Sequence, residues 1–550
     1  MATLDDLMLS AGVTNSPTWF GKIKIPYWAM PHQLDALKDY VRHTRFMDAS
    51  DPGTGKTYPA QTHAVFMAAL GNKVCFTMPP KLLEQFEEEL LDFFVGIEKY
   101  LKIGNYSGNA KAKQTMRESW DLEGWPDILL LSYDDYRVLN DFVDLKTVPR
   151  GSWRHPEGGS YWKSNTSPLE PRDSSVGPVT KDGRTISKRG KAKNPLKLKL
   201  LSEGYNVLFF DEGHALCGTD SIIAKAVKKA SDELKEDIAV YVMTGTPVPT
   251  HLENAYGLIR LINPEAYACY ADFARKHCVT TTIQVRTGLG KTANVKTITG
   301  YKATEAIHKA LFANARRVQK GDVLTLPEPL ISQMKVRLSR KHMKLYKAVV
   351  NDMFAITSEG SVIAPSSDAE VRAIALRLVG CPDEFDPELS KENELAEAAD
   401  AFIESVNPAN FKIIIFAFHK SVIKFLADRY RQWNPAVVNG ESVGPSEINK
   451  FKTDDTCRIA IVNWVSGGAG LNLQIAHHIL FYECPTSPRD AKQAIARCYR
   501  KGQANIVNAT FLRVMKTVSD KNFKNLLKNE ESNNEAIKDK KDLLYEVLKP

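Results

Sequence analysis

Eight residues, Ser50-Asp51-Pro52-Gly53-Thr54-Gly55-Lys56-Thr57, restrict this chain more than any other stretch. Arg45–Ala49 reads as a short strand and Ala60–Leu70 as a helix, so the glycines and the Lys-Thr pair stand at a strand-to-helix bend. Glycines let backbone N–H groups turn inward, and a helix start adds the positive end of its dipole; together they wrap phosphate. Lys56 is then placed to reach β- and γ-phosphates, and the Thr57 hydroxyl to hold Mg²⁺. The complete pattern has Gly six residues before the lysine, where this chain has Ser50. On these residues alone, a plain Gly-rich turn stays open.

The segments that follow narrow the choice. Lys73–Met78, Ile128–Leu131, Asn206–Phe210 and Ile238–Met243 are short apolar runs separated by helical stretches, among them Leu82–Phe94. That alternation describes an α/β fold with a parallel sheet, whose polar groups at C-terminal strand ends are where ligands bind. Asn206–Phe210 ends in Asp211-Glu212-Gly213-His214. Downstream of a phosphate loop, such a pair has a chemical use. Asp211 can hold Mg²⁺ with Thr57, and Glu212 can orient or deprotonate an attacking water; a pair of exposed acids at a strand end is the alternative. Ahead of the loop, Pro31-His32-Gln33 opens a helix running to Val41; Gln33 either reads an adenine edge or is a solvated helix-start residue.

Composition bounds the rest. Apolar residues at 43% and charged residues at 25% suit a chain that buries large cores, and 550 residues exceed one ordinary domain. No apolar run approaches the roughly 20 residues that cross a bilayer, so no membrane partner is expected. Cysteines 75, 217, 269, 278, 381, 457, 484 and 498 form no C-x-x-C pair. They read as reduced residues of an intracellular compartment: cytoplasm or nucleoid in a bacterial or viral setting, nucleus in a eukaryotic one. The net charge of +8 is local: residues 151–200 hold eleven Lys/Arg against four Asp/Glu, and the remainder is nearly balanced. Phe142–Leu198 interrupts the alternation and is rich in Gly, Pro, Ser and Lys. It reads as a basic arm that neutralises phosphates without reading bases, with Trp153, Tyr161 and Trp162 either stacking on bases or pinning the arm; a solvated insertion without function is the alternative.

The second half repeats the alternation without a phosphate loop of its own. Ala303–Val323 reads as basic and helical, and Leu326-Pro327-Glu328-Pro329 as the passage to a second domain. Lys412–Phe416, Arg458–Val462 and His478–Tyr482 are strands, and Ser421–Trp433 a helix. A helix from about Pro488 carries Gln493, Arg497 and Arg500 at i, i+4 and i+7, one polar face that either suits a phosphate or is an ordinary solvated basic face. Lys516–Pro550 is a charged tail in which Glu535–Leu548 has weak helical periodicity.

Taken together, these marks resemble the SWI/SNF-type ATPases of helicase superfamily 2, over about Pro31 to Val514. The residues that carry the resemblance are Asp-Glu-Gly-His at 211–214, Thr-Gly-Thr-Pro at 244–247, Gly-Ala-Gly-Leu-Asn-Leu at 468–473 and Gln-Ala-Ile-Ala-Arg-Cys-Tyr-Arg-Lys-Gly-Gln at 493–503. Asn254–Pro264 looks closest to the annealing-helicase-like branch. The resemblance implies two RecA-like lobes with parallel sheets, an ATP cleft between them, and a DNA translocase driven by ATP with Mg²⁺. Its partner would be double-stranded or branched DNA; protein partners are not implied. Gln33 would contact adenine, and Gly53, Thr54, Gly55, Lys56 and Thr57 the phosphates. Asp211 would hold the metal and Glu212 the water, with Arg497 and Arg500 completing the site. His214, Thr244, Thr246 and Gln493 would couple nucleotide to DNA. Pro79, Ser132, Tyr133, Phe418, Gly467 and Gly468 would line the DNA groove. A strand-separating or branch-migration/annealing helicase and a DNA-binding scaffold with weak ATPase are the rivals.

This chain departs from the family pattern at Ala496 (usually an acid), Tyr499 (usually histidine), Trp464 (usually a small hydroxyl residue) and Ser487-Pro488 (usually Trp-Asn-Pro). The expected organisation is a lead-in at 1–30, a first lobe at 31–325 with the basic insertion at about 142–198, a second lobe at 326–515 and a tail at 516–550.

Overall fold

A computed structural model describes residues 2–139, 200, 203–217, 238–248, 251–287, 291–323, 327–439, 445–465, 473–500 and 502–537. The basic insertion at about 142–198, Gly467 and Gly468 therefore lie outside the described residues. The chain divides into two compact units: Met1–Phe46 with Thr57–Met243, and Met47–Lys56 with Thr244–Pro550.

The first unit begins with α1 (Leu4–Ser10), a helix within the expected lead-in. Thr3 explains it: its hydroxyl accepts from the Asp6 N–H while the Asp6 carboxylate accepts from the Thr3 N–H, a reciprocal cap. Then come α2 (Pro31–Arg42), β1 (Arg45–Asp48), α3 (Thr57–Ala69), β2 (Lys73–Met78), α4 (Leu83–Phe93), β3 (Ile103–Tyr106), α5 (Ala110–Glu123), β4 (Ile128–Ser132), α6 (Tyr133–Leu139), β5 (Tyr205–Asp211) and β6 (Ala239–Met243). Strands β3-β4-β2-β5-β6 lie side by side in that order, each neighbour pair parallel. β4 is buried throughout, as a parallel strand covered on both faces must be.

An aromatic seam fixes the centre of this unit. Phe76, Phe209 and Tyr241 stack in sequence across β2, β5 and β6, with centroids 4.4 and 4.6 Å apart. His63 of α3 meets the seam edge-on, and its Nε2 is 2.9 Å from the Tyr241 hydroxyl. Its Nδ1 is buried without a hydrogen-bond partner. Burial drives its pKa down to about 3, so the ring is neutral in the folded state.

The second unit contains the end of β1, the phosphate loop, and the elements from α7 (Ala255–Ile262) onward: α8 (Tyr270–His277), β7 (Cys278–Thr287), β8 (Lys291–Tyr301), α9 (Thr304–Leu311), β9 (Ala315–Arg316) and α10 (Lys320–Val323). The expected single helix over Ala303–Val323 is thus three elements. Parallel pairing of β9 with β1, Met47 opposite Ala315 and Asp48 opposite Arg316, overrides its helical propensity. β7 and β8 form an antiparallel pair that periodicity alone did not suggest.

Farther along are β10 (Leu330–Val336), α11 (Arg340–Lys347), the short pair β11 (Ala355–Ile356) and β12 (Val362–Ile363), α12 (Asp368–Gly380), α13 (Glu394–Val406), β13 (Ile413–Ala417), α14 (Lys420–Arg429), β14 (Ala436–Val438), α15 (Pro445–Thr453), β15 (Ile459–Asn463), β16 (His478–Phe481), α16 (Pro488–Ala496), β17 (Asn508–Val514) and α17 (Val518–Ile537). The sheet order is β10-β17-β16-β13-β15-β14, all parallel. Alternate residues of β13 feed two cores. Ile414 and Phe416 join Ala460, Phe481 and Phe511, while Ile413, Ile415 and Ala417 join Leu378, Phe402 and Leu480. Phe523 and Leu526 anchor α17 in the first of these. Among the described residues, no helix is long and apolar enough to cross a membrane.

The buried His63 makes a pH prediction. Its folded pKa is depressed below the ordinary 6.5, so the unfolded chain binds the proton first as pH falls. Stability is therefore lost from about pH 6.5 downward, by a slope approaching about 1.4 kcal/mol per pH unit. His63→Gln should flatten the urea-unfolding stability of the chain between pH 6 and 4 relative to wild type. An unchanged slope would show that the ring is not held neutral.

Candidate nucleotide site

The phosphate loop is strapped along its length. Met47 N–H donates to Asn314 O (2.9 Å), Ala49 N–H to Arg316 O (2.8 Å) and Asp51 N–H to Val318 O (2.9 Å), extending the β1–β9 pairing into the loop. Ser50, which stands where a glycine is usual, is buried; its hydroxyl accepts from Val318 N–H at 3.1 Å. A glycine there would forfeit that bond. Gly53 and Gly55 adopt φ of +86° and +82°, the left-handed region that glycine enters without a Cβ clash. Lys56 Nζ donates to Ser50 O (2.7 Å) and Asp51 O (3.0 Å), folding the ammonium back over the loop.

Two further segments lie against the loop within the same unit. Arg317 donates to Ala49 O at 2.6 Å and pairs with Asp51 at 3.4 Å. Thr244 N–H donates to Asp48 O at 3.0 Å, and a Cβ on Gly245 would come within 2.5 Å of Pro52 Cδ. Only glycine fits there, which seats Thr244 and Thr246 beside the loop. Both threonines are buried, and the Thr246 N–H donates to Thr244 Oγ1 at 3.1 Å.

In the first unit the acid pair closes β5. Asp211 Oδ1 accepts from the Glu212 N–H at 2.9 Å, and Asp211 O accepts from the Tyr133 hydroxyl at 2.7 Å. Glu212 is left-handed (φ 52°, ψ 47°), a conformation costing a non-glycine residue about 1–2 kcal/mol and concentrated at functional sites. Its Oε2 lies 3.2 Å from His214 Nδ1. Gly213 packs so tightly that a Cβ would stand 2.2 Å from Val242 Cγ1. Burial, followed by the nearby Asp211 and Glu212 charges, pushes the Tyr133 phenol well up, so it stays a donor. Thr57 is the first residue of α3.

The arginine segment differs from its expected form. α16 ends at Ala496 with Arg497 as its cap, so Gln493, Arg497 and Arg500 do not share one helix face. The chain turns because other bonds take over: Leu473 N–H claims Arg497 O at 3.1 Å, and Gln503 Nε2 donates to Gln474 O and Ala476 O at 2.9 and 3.1 Å. Gly502 (φ +95°) completes the turn. This brings Arg500 to the loop instead, its Cβ 3.8 Å from where a Cβ on Gly53 would lie.

The remaining sites divide. Gln33 Oε1 accepts from Met30 N–H at 2.9 Å, closing the start of α2. The Ser132 hydroxyl is spent on Asp135 at 2.5 Å, and Tyr133 is buried as described. Pro79 precedes a short turn of 3₁₀ helix. Phe418 is partly exposed, stacks on Trp464 at 5.5 Å, and its carbonyl accepts from Asn463 Nδ2 at 2.7 Å. The unusual Trp464 thus has an aromatic partner. Lys320 and Arg317, both against the loop, belong to the stretch read from sequence as basic and helical, and were not expected at the site; burial of a lysine leaves no periodic signal.

A strapped Gly-rich loop with a lysine folded over it, and a strand-end carboxylate pair, are the marks of a P-loop nucleoside triphosphate hydrolase of the RecA-like α/β class. The family comparison sharpens this. The SNF2-related domain matches residues 49–378, more than half the chain, and the helicase conserved C-terminal domain matches 397–502. The chain belongs to the SNF2 family of helicase-type ATPases, with its two RecA-like lobes. It is 22% identical over 328 residues to the Arabidopsis thaliana CHD3-type chromatin-remodeling factor CHR7, covering 55% of this chain and 24% of that one. It is 23% identical over 323 residues to the Mus musculus DNA annealing helicase and endonuclease ZRANB3, covering 57% and 28%. The chain thus spans about a quarter of the length of these relatives. The Sulfolobus solfataricus SWI2/SNF2 ATPase core in complex with dsDNA aligns over 90% of both chains at 17% identity, with a TM-score of 0.35.

The Gly213–Val242 contact is directly testable. Gly213→Ala should destabilise the chain by about 1–3 kcal/mol through overpacking. Adding Val242→Ala removes the clashing methyl, so the double variant should be more stable than the sum of the two single changes. Thermal unfolding of the three variants measures this; simple additivity would show that the site relaxes without cost.

Proposed function

We propose that the chain is an ATP-driven translocase on double-stranded DNA. The observation that carries it is the approach of Arg500 to Gly53, which puts the arginine segment and the phosphate loop in one compact unit. Lys56, Gly53, Thr54 and Gly55 bind the triphosphate. Glu212 orients the attacking water, and Arg500, with Arg497, stabilises charge that develops on the transferred phosphoryl group. Thr57 and Asp211 offer the hard oxygen ligands that Mg²⁺ takes, and they would hold it there, where it neutralises phosphate charge. Gln33 serves the adenine edge. His214, Thr244, Thr246 and Gln493 couple the nucleotide state to the DNA track, to which Pro79, Ser132, Tyr133, Phe418, Gly467 and Gly468 contribute. The setting is intracellular.

The name of the Mus musculus relative, a DNA annealing helicase and endonuclease, favours a second reading, a branch-migration or annealing helicase, and on that reading we expect branched DNA to be the preferred partner. ATP turnover with duplex, branched and single-stranded DNA and with RNA separates the two. Stimulation by plain duplex supports translocation, strong preference for branches supports the second reading, and stimulation by RNA alone would sink both.

Two variants test the chemistry. Lys56→Ala should abolish turnover and weaken ATP binding, whereas Glu212→Gln should abolish turnover while ATP still binds. Near-normal turnover in either one contradicts the site. Arg500→Ala should lower the hydrolysis rate by about 10³–10⁵ with little change in nucleotide affinity, even at saturating DNA. Recovery at saturating DNA would instead make Arg500 a DNA contact.

A further inference from the structure

We propose that Lys320 is an additional phosphate-binding cation of the nucleotide site, positioned on the loop from the segment after β9 and tied to the arginine segment through Tyr499. The inference rests on the nucleotide-site reading above.

A lysine is among the least buried residue types, yet Lys320 is only 5% exposed. Its backbone N–H donates to Asp51 Oδ2 at 2.9 Å, which fixes the start of the side chain against the loop. From there the chain runs over Gly53: its Cε and Nζ lie 3.3 and 3.5 Å from where a Cβ on Gly53 would stand. Nζ donates to the backbone carbonyl of Tyr499 and sits 4.8 Å from the centre of the Tyr499 ring. The tyrosine that replaces the usual histidine therefore supplies an aromatic face for a cation.

The charges that act on this ammonium are mostly positive. Lys56 on the loop, and Arg497 and Arg500 beyond α16, all repel it, while Asp51 attracts it. Asp51 is also shared with Arg317. The Tyr499 phenol is pushed up by burial, followed by Glu328 and Asp51, so the ring stays neutral and adds no anion. A buried ammonium among part-buried cations is costly unless an anion joins them. A polyphosphate is the anion whose charge and size match, and the loop beneath is built to hold one. An ammonium has three donors, and the Tyr499 carbonyl takes one of them. Burial, followed by the opposing pull of Asp51 and repulsion from Arg500, Lys56 and Arg497, holds the Lys320 pKa down at about 8. Phosphate contact stabilises the protonated form, so affinity should fall as pH rises above that value. Because the same ammonium grips the carbonyl between Cys498 and Arg500, its position also sets that of the Arg500 backbone.

The test is calorimetric binding of the non-hydrolysable analogue AMP-PNP with Mg²⁺ to the full chain, in wild type, Lys320→Gln and Lys320→Arg. Lys320→Gln should weaken binding by about ten- to a hundredfold, the range for losing one hydrogen bond to a charged group. Lys320→Arg should recover most of that loss. Wild-type affinity should fall between pH 7.5 and 9.5, and Lys320→Gln should flatten the profile. A buried residue that only packs would not move with pH, so the profile decides the matter even where Lys320→Gln folds poorly. Binding by Lys320→Gln within twofold of wild type, or a flat wild-type profile, overturns the inference while leaving the nucleotide site intact. Wild type that fails to bind AMP-PNP at all overturns the nucleotide site itself.

Discussion

The alternating backbone bonds from Met47, Ala49 and Asp51 to Asn314, Arg316 and Val318 are the constraint on which the phosphate loop depends. A glycine-containing loop has many conformations open to it, and its left-handed residues are easily lost. Pairing β1 with β9 and continuing the ladder past the end of the strand removes that freedom before any ligand arrives. Side chains then add to the ladder: Ser50 accepts from it, Arg317 donates to Ala49 O, and Asp51 takes the Lys320 N–H. Preorganisation of this kind spares the nucleotide the entropy of ordering its own cradle.

The carboxylate pair is held by a different means. Here the constraint is steric and local: Gly213 has no room for a side chain beside Val242, and Glu212 turns left-handed to let the backbone pass. Hydrogen bonds from Tyr133 to Asp211 O and from the Glu212 N–H to Asp211 Oδ1 stabilise the bend. Strain at the end of a buried strand is tolerable because β5 is anchored by the Phe76–Phe209–Tyr241 stack.

Much of this was legible in the sequence because burial on both sheet faces leaves unbroken apolar runs. Lys73–Met78, Ile128–Leu131 and Ile238–Met243 could be read as strands, with polar residues marking their ends. What could not be read depended on contacts distant in sequence. Ala315–Arg316 becomes a strand only because β1 is there to pair with it, and the helix carrying Gln493 stops at Ala496 because Leu473 and Gln503 take its carbonyl and support its turn. Ser50 and Trp464 look like departures until their partners, Val318 and Phe418, are known. The β7–β8 pair was missed because pairing between its strands decides it, and apolar residues described on it, Val279 and Ile283, are exposed and mark no core face.

The two-sided burial of β13 has a consequence for how this chain can vary. Ile413, Ile415 and Ala417 face one core while Ile414 and Phe416 face the other. Each position tolerates a side chain of similar volume, since neither core requires a particular apolar residue. Loss or gain of a single residue within the strand is another matter. It would send every following side chain to the opposite face, placing small Ala417 in the space shaped for Phe416. Drift by substitution is therefore open to this strand, whereas drift in length is closed.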